Sequence, residues 1–454
     1  MRPEPTVFRV REGRISEAAL LDRLLARGFK TEPVRGLSGF HQVIDGPGRL
    51  SATVEHWLGL LYVQQASTGV AAPALAPVPG EHVLDLCSAP GGKTLHIAEL
   101  MHDSGCIVAS ELSEPRIRGL LGNVYRLGHS NILVTAGDGR AFPAGVTFDR
   151  VLVDAPCSGE GTLRRSGGQA PNQSVSFLEY VTRAQKRLLE RAVAVTRPGG
   201  VILYVTCTFA PEENEAVVSD ALERLPVELE LLDLSVPHAR GLTEFEGTRF
   251  DPRVEGAARI YPHHLDSGGL FLARLRKLDD GEERPFRASV PRVFPGDELS
   301  PNEAEVRLSA ALDELRTRYG ASSALDNLRW VFRGGRAWFH TLDAWPLPQW
   351  KEGGWRAISV GIRGIDFDTR GRPRPSNDLI RLFGHHLTGR VLDVDDEEMR
   401  ALLAKKAIPV AEDERGPMGI RHRGDMVGRG ALTVDGLKSE IPKARAGDYL
   451  RSLS

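Results

Sequence analysis

Between residues 81 and 278 the sequence predicts an α/β fold, a doubly wound sheet of parallel strands with helices on both faces. Three observations predict it. Short apolar runs at 82–86, 107–110, 132–136, 151–154 and 201–206 alternate with helical patterns at 93–102, 115–127 and 178–196. Such alternation needs crossover connections, and crossovers make neighbouring strands parallel. The first run ends in a glycine turn, CSAPGGK at 87–93, that opens the next helix. Acidic residues, Glu111, Asp138 and Asp154, then stand where later runs end, which in such a sheet is the side where ligands bind.

The flanks read in order. Residues 1–65 form an N-terminal α+β extension. It opens with a β-like piece, continues in a helix at 16–26 with Ser16 at its N-cap, and reaches His56 and Trp57 through a loop-rich stretch. The α/β domain is assigned to 66–278. Within it, RPGG at 197–200 ends the long helix and turns into the strand before Cys207, and 268–275 reads as the closing strand. Residues 279–300, dense in charge, proline and glycine, read as a linker. An intermediate α+β domain at 301–390 holds a helix at 303–319 and strands at 328–332 and 337–342. The tail, 391–454, holds a helix at 396–405 and then short strands broken by glycines.

Composition narrows the classes. A chain of 454 residues is expected to hold two to four domains. No apolar run is long enough for a membrane helix, and the N-terminus lacks the apolar core of a signal peptide. Four cysteines without a close pair, Cys87, Cys106, Cys157 and Cys207, argue against a disulfide framework and a metal site. A cytoplasmic monomer with reduced thiols is expected. The net charge of −2 leaves room for a local phosphate-binding patch. Two candidates are TLRR at 162–165 and the stretch 415–445, with seven Lys/Arg against three Asp/Glu.

The turn after the first strand predicts the cofactor. Residues Cys87, Ser88, Ala89, Pro90, Gly91, Gly92 and Lys93 match neither G-x-G-x-x-G nor the P-loop pattern, so a nucleoside with little or no phosphate is expected. Glu111 is placed to accept the ribose hydroxyls, and Asp138, in GDG at 137–139, to accept from an adenine amino group. S-adenosyl-L-methionine fits, its adenosine along the strand ends and its sulfonium near Asp154.

The chemistry rests on two thiols. Cys157 lies in DAPCSG at 154–159 and Cys207 in YVTCT at 204–208. Carbon 5 of cytosine is too electron-poor to attack a methyl sulfonium. Thiolate addition at carbon 6 makes it nucleophilic, and a carboxyl group near the ring steadies the adduct. Asp154 is suited to that task, and a second thiol to breakdown of the adduct. Spacing does not rank the cysteines. Cys106 reads as a buried core thiol, and Cys87 as a lining residue of the cofactor loop. His263 and His264 are expected to pack, and Glu212, Glu213 and Glu215 to cap or solvate the helix after Cys207.

Five segments together resemble the Nop/Sun-type RNA cytosine-5 methyltransferases: YVQQAS at 62–67, LCSAPGGKT at 86–94, DAPCSGEG at 154–161, TCTFAPEENE at 206–215, and RIYPH at 259–263 followed by GGLF at 268–271. The resemblance covers about residues 55–278 and implies a Rossmann-like S-adenosylmethionine methyltransferase domain. It further implies that Cys207 is the nucleophile, that Cys157 helps release the product, and that Lys93 lies near the reacting base. It implies cofactor binding by residues 87–93, Glu111, Asp138 and Asp154. Where the family more often carries aspartate, this chain has Glu111. By analogy, DNA cytosine-5 enzymes, which attack with a cysteine after proline, point instead to Cys157. The tail resembles that of bacterial members acting on ribosomal RNA, which end in a PUA-like RNA-binding module. RNA is the implied partner, ribosomal RNA or the small ribosomal subunit ahead of transfer RNA. The other readings are a DNA methyltransferase using Cys157 and a non-catalytic ribosome-assembly factor.

Overall fold

The computed structural model describes residues 3–143, 146–164, 174–279, 290–294, 297–321, 325, 328–343, 355–412 and 414–453. Its centre is a ten-stranded sheet. The parallel part consists of β1 (His82–Asp85), β2 (Cys106–Glu111), β3 (Ile132–Ala136), β4 (Phe148–Asp154) and β5 (Thr196–Thr206), in the spatial order β3-β2-β1-β4-β5. β1, β2 and β3 are buried along their whole length, as unbroken apolar runs require of a sheet covered on both faces.

The helices are α1 (Gly92–Leu100), α2 (Glu114–Leu127), α3 (Val175–Val195) and α4 (Glu215–Arg224). Alternation sorts the strand residues between two cores. Leu84 and Val108 meet Leu188 and Leu189 of α3, whereas Val83 and Ile107 meet Leu95 of α1 and Leu120 of α2. Each such side chain, on leaving water, contributes about 1.5–3 kcal/mol. The expected doubly wound architecture is therefore present. Its switch point falls between β1 and β4, because the chain builds outward to β3 and then returns to the other side of β1.

Antiparallel strands extend both edges. β6 (Ala258–Ile260) and β7 (Leu270–Lys277) follow β5, with Phe271 of β7 opposite Thr206. At the far edge β8 (Arg356–Val360) pairs with β3. Residues beyond the expected linker thus complete this sheet, while Arg329–Arg333, Arg336–His340, Ile362–Phe367 and Pro373–Pro375 form a separate four-stranded one. RPGG at 197–200 lies inside β5 rather than in a turn after α3. The register steps from Phe148 opposite Thr196 to Arg150 opposite Val201, and the extra residues bulge there.

The N-terminal stretch is richer in strand than expected. Lys30–Pro33, Phe40–Asp45, Val7–Val10 and Leu61–Val63 form a sheet in that order, around the expected helix Glu17–Ala26 capped by Ser16. The tail forms a four-stranded sheet with helices Asp396–Leu403 and Lys443–Ser452. The two ends of the chain share one core, in which Phe8, Leu24 and Trp57 pack with Met399, Ile420 and Tyr449. Most of the expected linker, Arg165, and residues 166–173 of the segment after it lie outside the described residues.

Candidate active site

Strand register brings the two thiols together. Asp154 ends β4 opposite Val205 of β5, so Cys157, three residues beyond Asp154, and Cys207, two beyond Val205, leave the sheet side by side. Their Sγ atoms lie 3.2 Å apart, and the Cys207 backbone N–H donates to Cys157 Sγ at 3.4 Å. Both thiols are half-buried. The hydrogen bond from Cys157 pulls the Cys207 thiol below its ordinary value, against burial and Asp154 and with help from Lys93. The same bond, with burial and the charge of Glu213, holds Cys157 well above its own. Both shifts point the same way, making Cys207 the more readily ionised thiol of the two.

Lys93, in the first turn of α1, donates to Asp154 Oδ2 at 2.7 Å. Burial opposes the ammonium charge, but Asp154 outweighs it and the group stays above its usual value. The loop 87–92 leaves β1 beside this pair. Its backbone is tied by Ser88 N–H to Ser110 O at 2.9 Å and by Ala89 N–H to Glu111 Oε2 at 3.3 Å. Glu111, buried at the end of β2, also accepts from Ser113 N–H at 2.9 Å and faces Arg116 at 3.1 Å. Asp138, beyond β3, is held by Arg140 at 2.6 Å, which keeps its carboxyl below the usual range. Cys87 is held well above its ordinary value by burial and then by Asp85, Asp154 and Glu111, and Cys106 is fully buried in the core.

Residues 72–276 match the family described as 16S rRNA methyltransferase RsmB/F. A "Ribosomal RNA small subunit methyltransferase F" of Shewanella sp. is 30% identical over 458 residues, covering 97% of this chain and 91% of that protein. Its namesake in Aeromonas salmonicida is 30% identical over 411 residues, covering 88% and 81%. The chain belongs to the RsmB/F family. A mouse "28S rRNA (cytosine-C(5))-methyltransferase" is 35% identical over 299 residues, or 64% of this chain and 38% of that protein. The chain spans 38–50% of the length of such eukaryotic relatives. A crystal structure of a Pyrococcus horikoshii methyltransferase homologue, 35% identical, superposes with a TM-score of 0.55 over 61% of this chain and 88% of that one. The Nop/Sun-type resemblance and the Rossmann-like fold both hold.

The RsmB/F family uses S-adenosyl-L-methionine, and the residues present fit it. A Cβ on Gly139 would meet Leu86 O at 2.8 Å, and one on Gly91, at φ +107°, would meet Leu120 at 2.8 Å. There is no room for a side chain at either glycine, so the turns beyond β1 and β3 lie close against the C-terminal rim of the sheet. Glu111 and Asp138 border that rim with carboxylate oxygens, each able to accept more than one donor.

Several residues of this RsmB/F site carry no sequence signal. Glu213, expected at the surface, is fully buried. It accepts from Ser158 N–H at 3.0 Å and Gln185 Nε2 at 2.8 Å, and Gln185 also donates to Pro156 O at 2.9 Å. Glu215 is equally buried, paired with Arg259. These acids anchor the thiol loops from inside, because Glu213, Asn214 and Glu215, in the turn before α4 and at its start, face the core instead of water. Trp355, just before β8, covers Gly137 and donates to Ala141 O at 3.2 Å. His263 stacks on Tyr261, and His264 accepts from Tyr261 N–H at 3.2 Å. In the tail, Arg421, Arg423, Arg429 and Lys438 each pair with a carboxylate. Asp393 and Asp396, outside the stretch 415–445, supply two of these and so offset half of its excess of four positive charges. Arg164 likewise pairs with Asp266 at 2.8 Å.

Proposed function

We propose that this protein methylates carbon 5 of a cytosine in ribosomal RNA, most simply that of the small subunit, through a covalent bond between Cys207 and carbon 6. The observation that carries the reading is the 3.2 Å approach of Cys157 and Cys207 beside the Lys93–Asp154 pair. Bound S-adenosyl-L-methionine would supply an electrophilic methyl group. Cys207, the lower thiol of the pair, adds as thiolate to carbon 6. Asp154, oriented by Lys93, hydrogen-bonds the ring edge and stabilises the adduct. After carbon 5 gains its methyl group it loses its proton to a base, and the Cys207 sulfur leaves. The Cys157 S–H, held in its protonated form, stabilises the departing thiolate. Glu111, Asp138 and the loop 87–93 hold the cofactor. The target base is unstacked to reach the thiols, and the N-terminal extension and PUA-like tail hold the surrounding RNA.

The test is methyl transfer from labelled cofactor to bulk RNA by wild type, Cys207→Ala and Cys157→Ala. We expect Cys207→Ala to give neither product nor adduct. Cys157→Ala should slow turnover by about 10²-fold and accumulate a denaturant-resistant protein–RNA adduct. The opposite pattern exchanges the thiols, and product on DNA alone moves the substrate class. Cofactor binding without product on any RNA leaves an assembly factor.

A further inference from the structure

Beside Cys207 lies a set of rings that the chemistry above does not use. Phe209, two residues on, stacks with Tyr261 (centroids 5.7 Å apart, planes at 25°), and Tyr261 with His263 (5.9 Å, 6°). Phe209 and Tyr261 are half-buried, and His263 is exposed. The ladder is built in place. A Cβ on Gly269 would meet the Phe209 ring at 2.2 Å, so the ring seats on bare backbone. Phe209 N–H donates to Glu160 at 3.0 Å, and Arg259 donates to Phe209 O at 3.0 Å. A groove opens on each side of Phe209. One, of about 490 Å³, is bordered by Phe209, Tyr261, Phe245 and Glu212. The other, of about 400 Å³, is bordered by Phe209, His263, Arg164 and Asp266. Glu160 borders both.

We infer that this ladder is a stacking platform for the bases next to the target cytosine in single-stranded RNA. The inference rests on the function proposed above. A cytosine joined to Cys207 has left its stack, so its neighbours lose a stacking partner as well. They emerge over the residues around Cys207, where these grooves begin. Aromatic faces restore the lost stacking for unpaired bases. The groove walls also select the part of the nucleotide. Glu160 and Glu212 repel phosphate but accept from the amino groups of adenine, cytosine or guanine, and the arginines that border the same grooves, Arg164 and Arg259, are already held by Asp266 and Glu215. The bases therefore enter, and the backbone stays outside.

The test uses a short single-stranded oligoribonucleotide with one central cytidine flanked by adenosines, and the same strand with abasic riboses at the two flanking positions. Binding is read by fluorescence anisotropy with S-adenosylhomocysteine present. Wild type should bind the abasic strand about 5- to 100-fold more weakly. Tyr261→Ala and His263→Ala should bind the adenosine strand correspondingly less well and discriminate little between the two, while Tyr261→Phe keeps the wild-type preference. Wild-type indifference to the flanking bases overturns the inference. So does undiminished discrimination by both alanine variants. Methyl transfer to bulk RNA by wild type, run alongside, separates the two readings. If transfer occurs and discrimination does not, the platform alone fails; if no RNA is methylated, the proposed function fails and the platform with it.

Discussion

At the scale of single residues, the site divides its work by charge. Cys207 and Cys157 share one proton's worth of hydrogen bonding, and the bond favours the thiolate on Cys207. Alkylation by iodoacetamide, mapped by peptide, should label Cys207 first, with a pH midpoint below that of an ordinary thiol. Cys157→Ala, which removes the donor, should move that midpoint upward. Asp85 gives a second pH effect. Burial raises its carboxyl from 3.8 to about 7, despite a 2.6 Å bond from Thr94 Oγ1 and with the charge of Asp154 adding to the rise. The folded chain therefore holds a proton that the unfolded chain has already released, and stability falls as pH rises from about 4 through 7. Asp85→Asn should remove that slope. Urea unfolding at both ends of this range should show the variant's relative stability growing with pH, by up to about 4 kcal/mol. A pH-independent difference would mean that Asp85 is ionised throughout.

At the scale of elements, the geometry of the candidate site belongs to the contact between two loops, not to either alone. Gly161 N–H donates to Cys207 O at 2.8 Å, and a Cβ on Gly161 would meet Gly269 O at 2.6 Å and Cys207 O at 2.9 Å. Gly161→Ala should therefore separate the cysteine loops and cost methyl transfer more than cofactor affinity, as read by turnover against calorimetric binding. Glu213 acts from beneath. Glu213→Ala leaves Ser158 N–H and Gln185 Nε2 without their acceptor, which should destabilise the protein by about 2–5 kcal/mol in urea titration, with Glu213→Gln losing less. Sequence carried the strands, the glycine turn and both thiols, because apolar runs, glycine and cysteine signal through local chemistry. It did not carry Glu213 or Gln185. A glutamate just ahead of a helix reads as a solvated cap, and only the tertiary packing of the turn before α4 turns it inward.

At the scale of the whole molecule, the ends of the chain meet. The tail's helix and glycine-broken strands were legible, but not their partnership with residues 7–63, since pairing across nearly the full sequence leaves no periodic trace. Equally illegible was β8, which crosses the expected linker to finish the sheet beside β3. The junction is both apolar and ionic. Trp57 stacks on Tyr449 at 4.9 Å, Arg23 donates to both oxygens of Asp425 at 3.2 and 2.6 Å, and His422 Nδ1 lies 2.7 Å from Tyr449 Oη. Because this core is shared, the two modules are expected to unfold together. Trp57→Ala empties a buried indole site and should cost about 3–5 kcal/mol. Hydrogen exchange then provides the decisive reading. Amides of Asp425–Thr433, in the tail, should lose protection along with those of Val7–Val10, although the substitution lies in the N-terminal part alone. Loss confined to the N-terminal sheet would make the tail an independent attachment. Its proposed contribution to RNA binding would then be separable from the stability of the N-terminal extension.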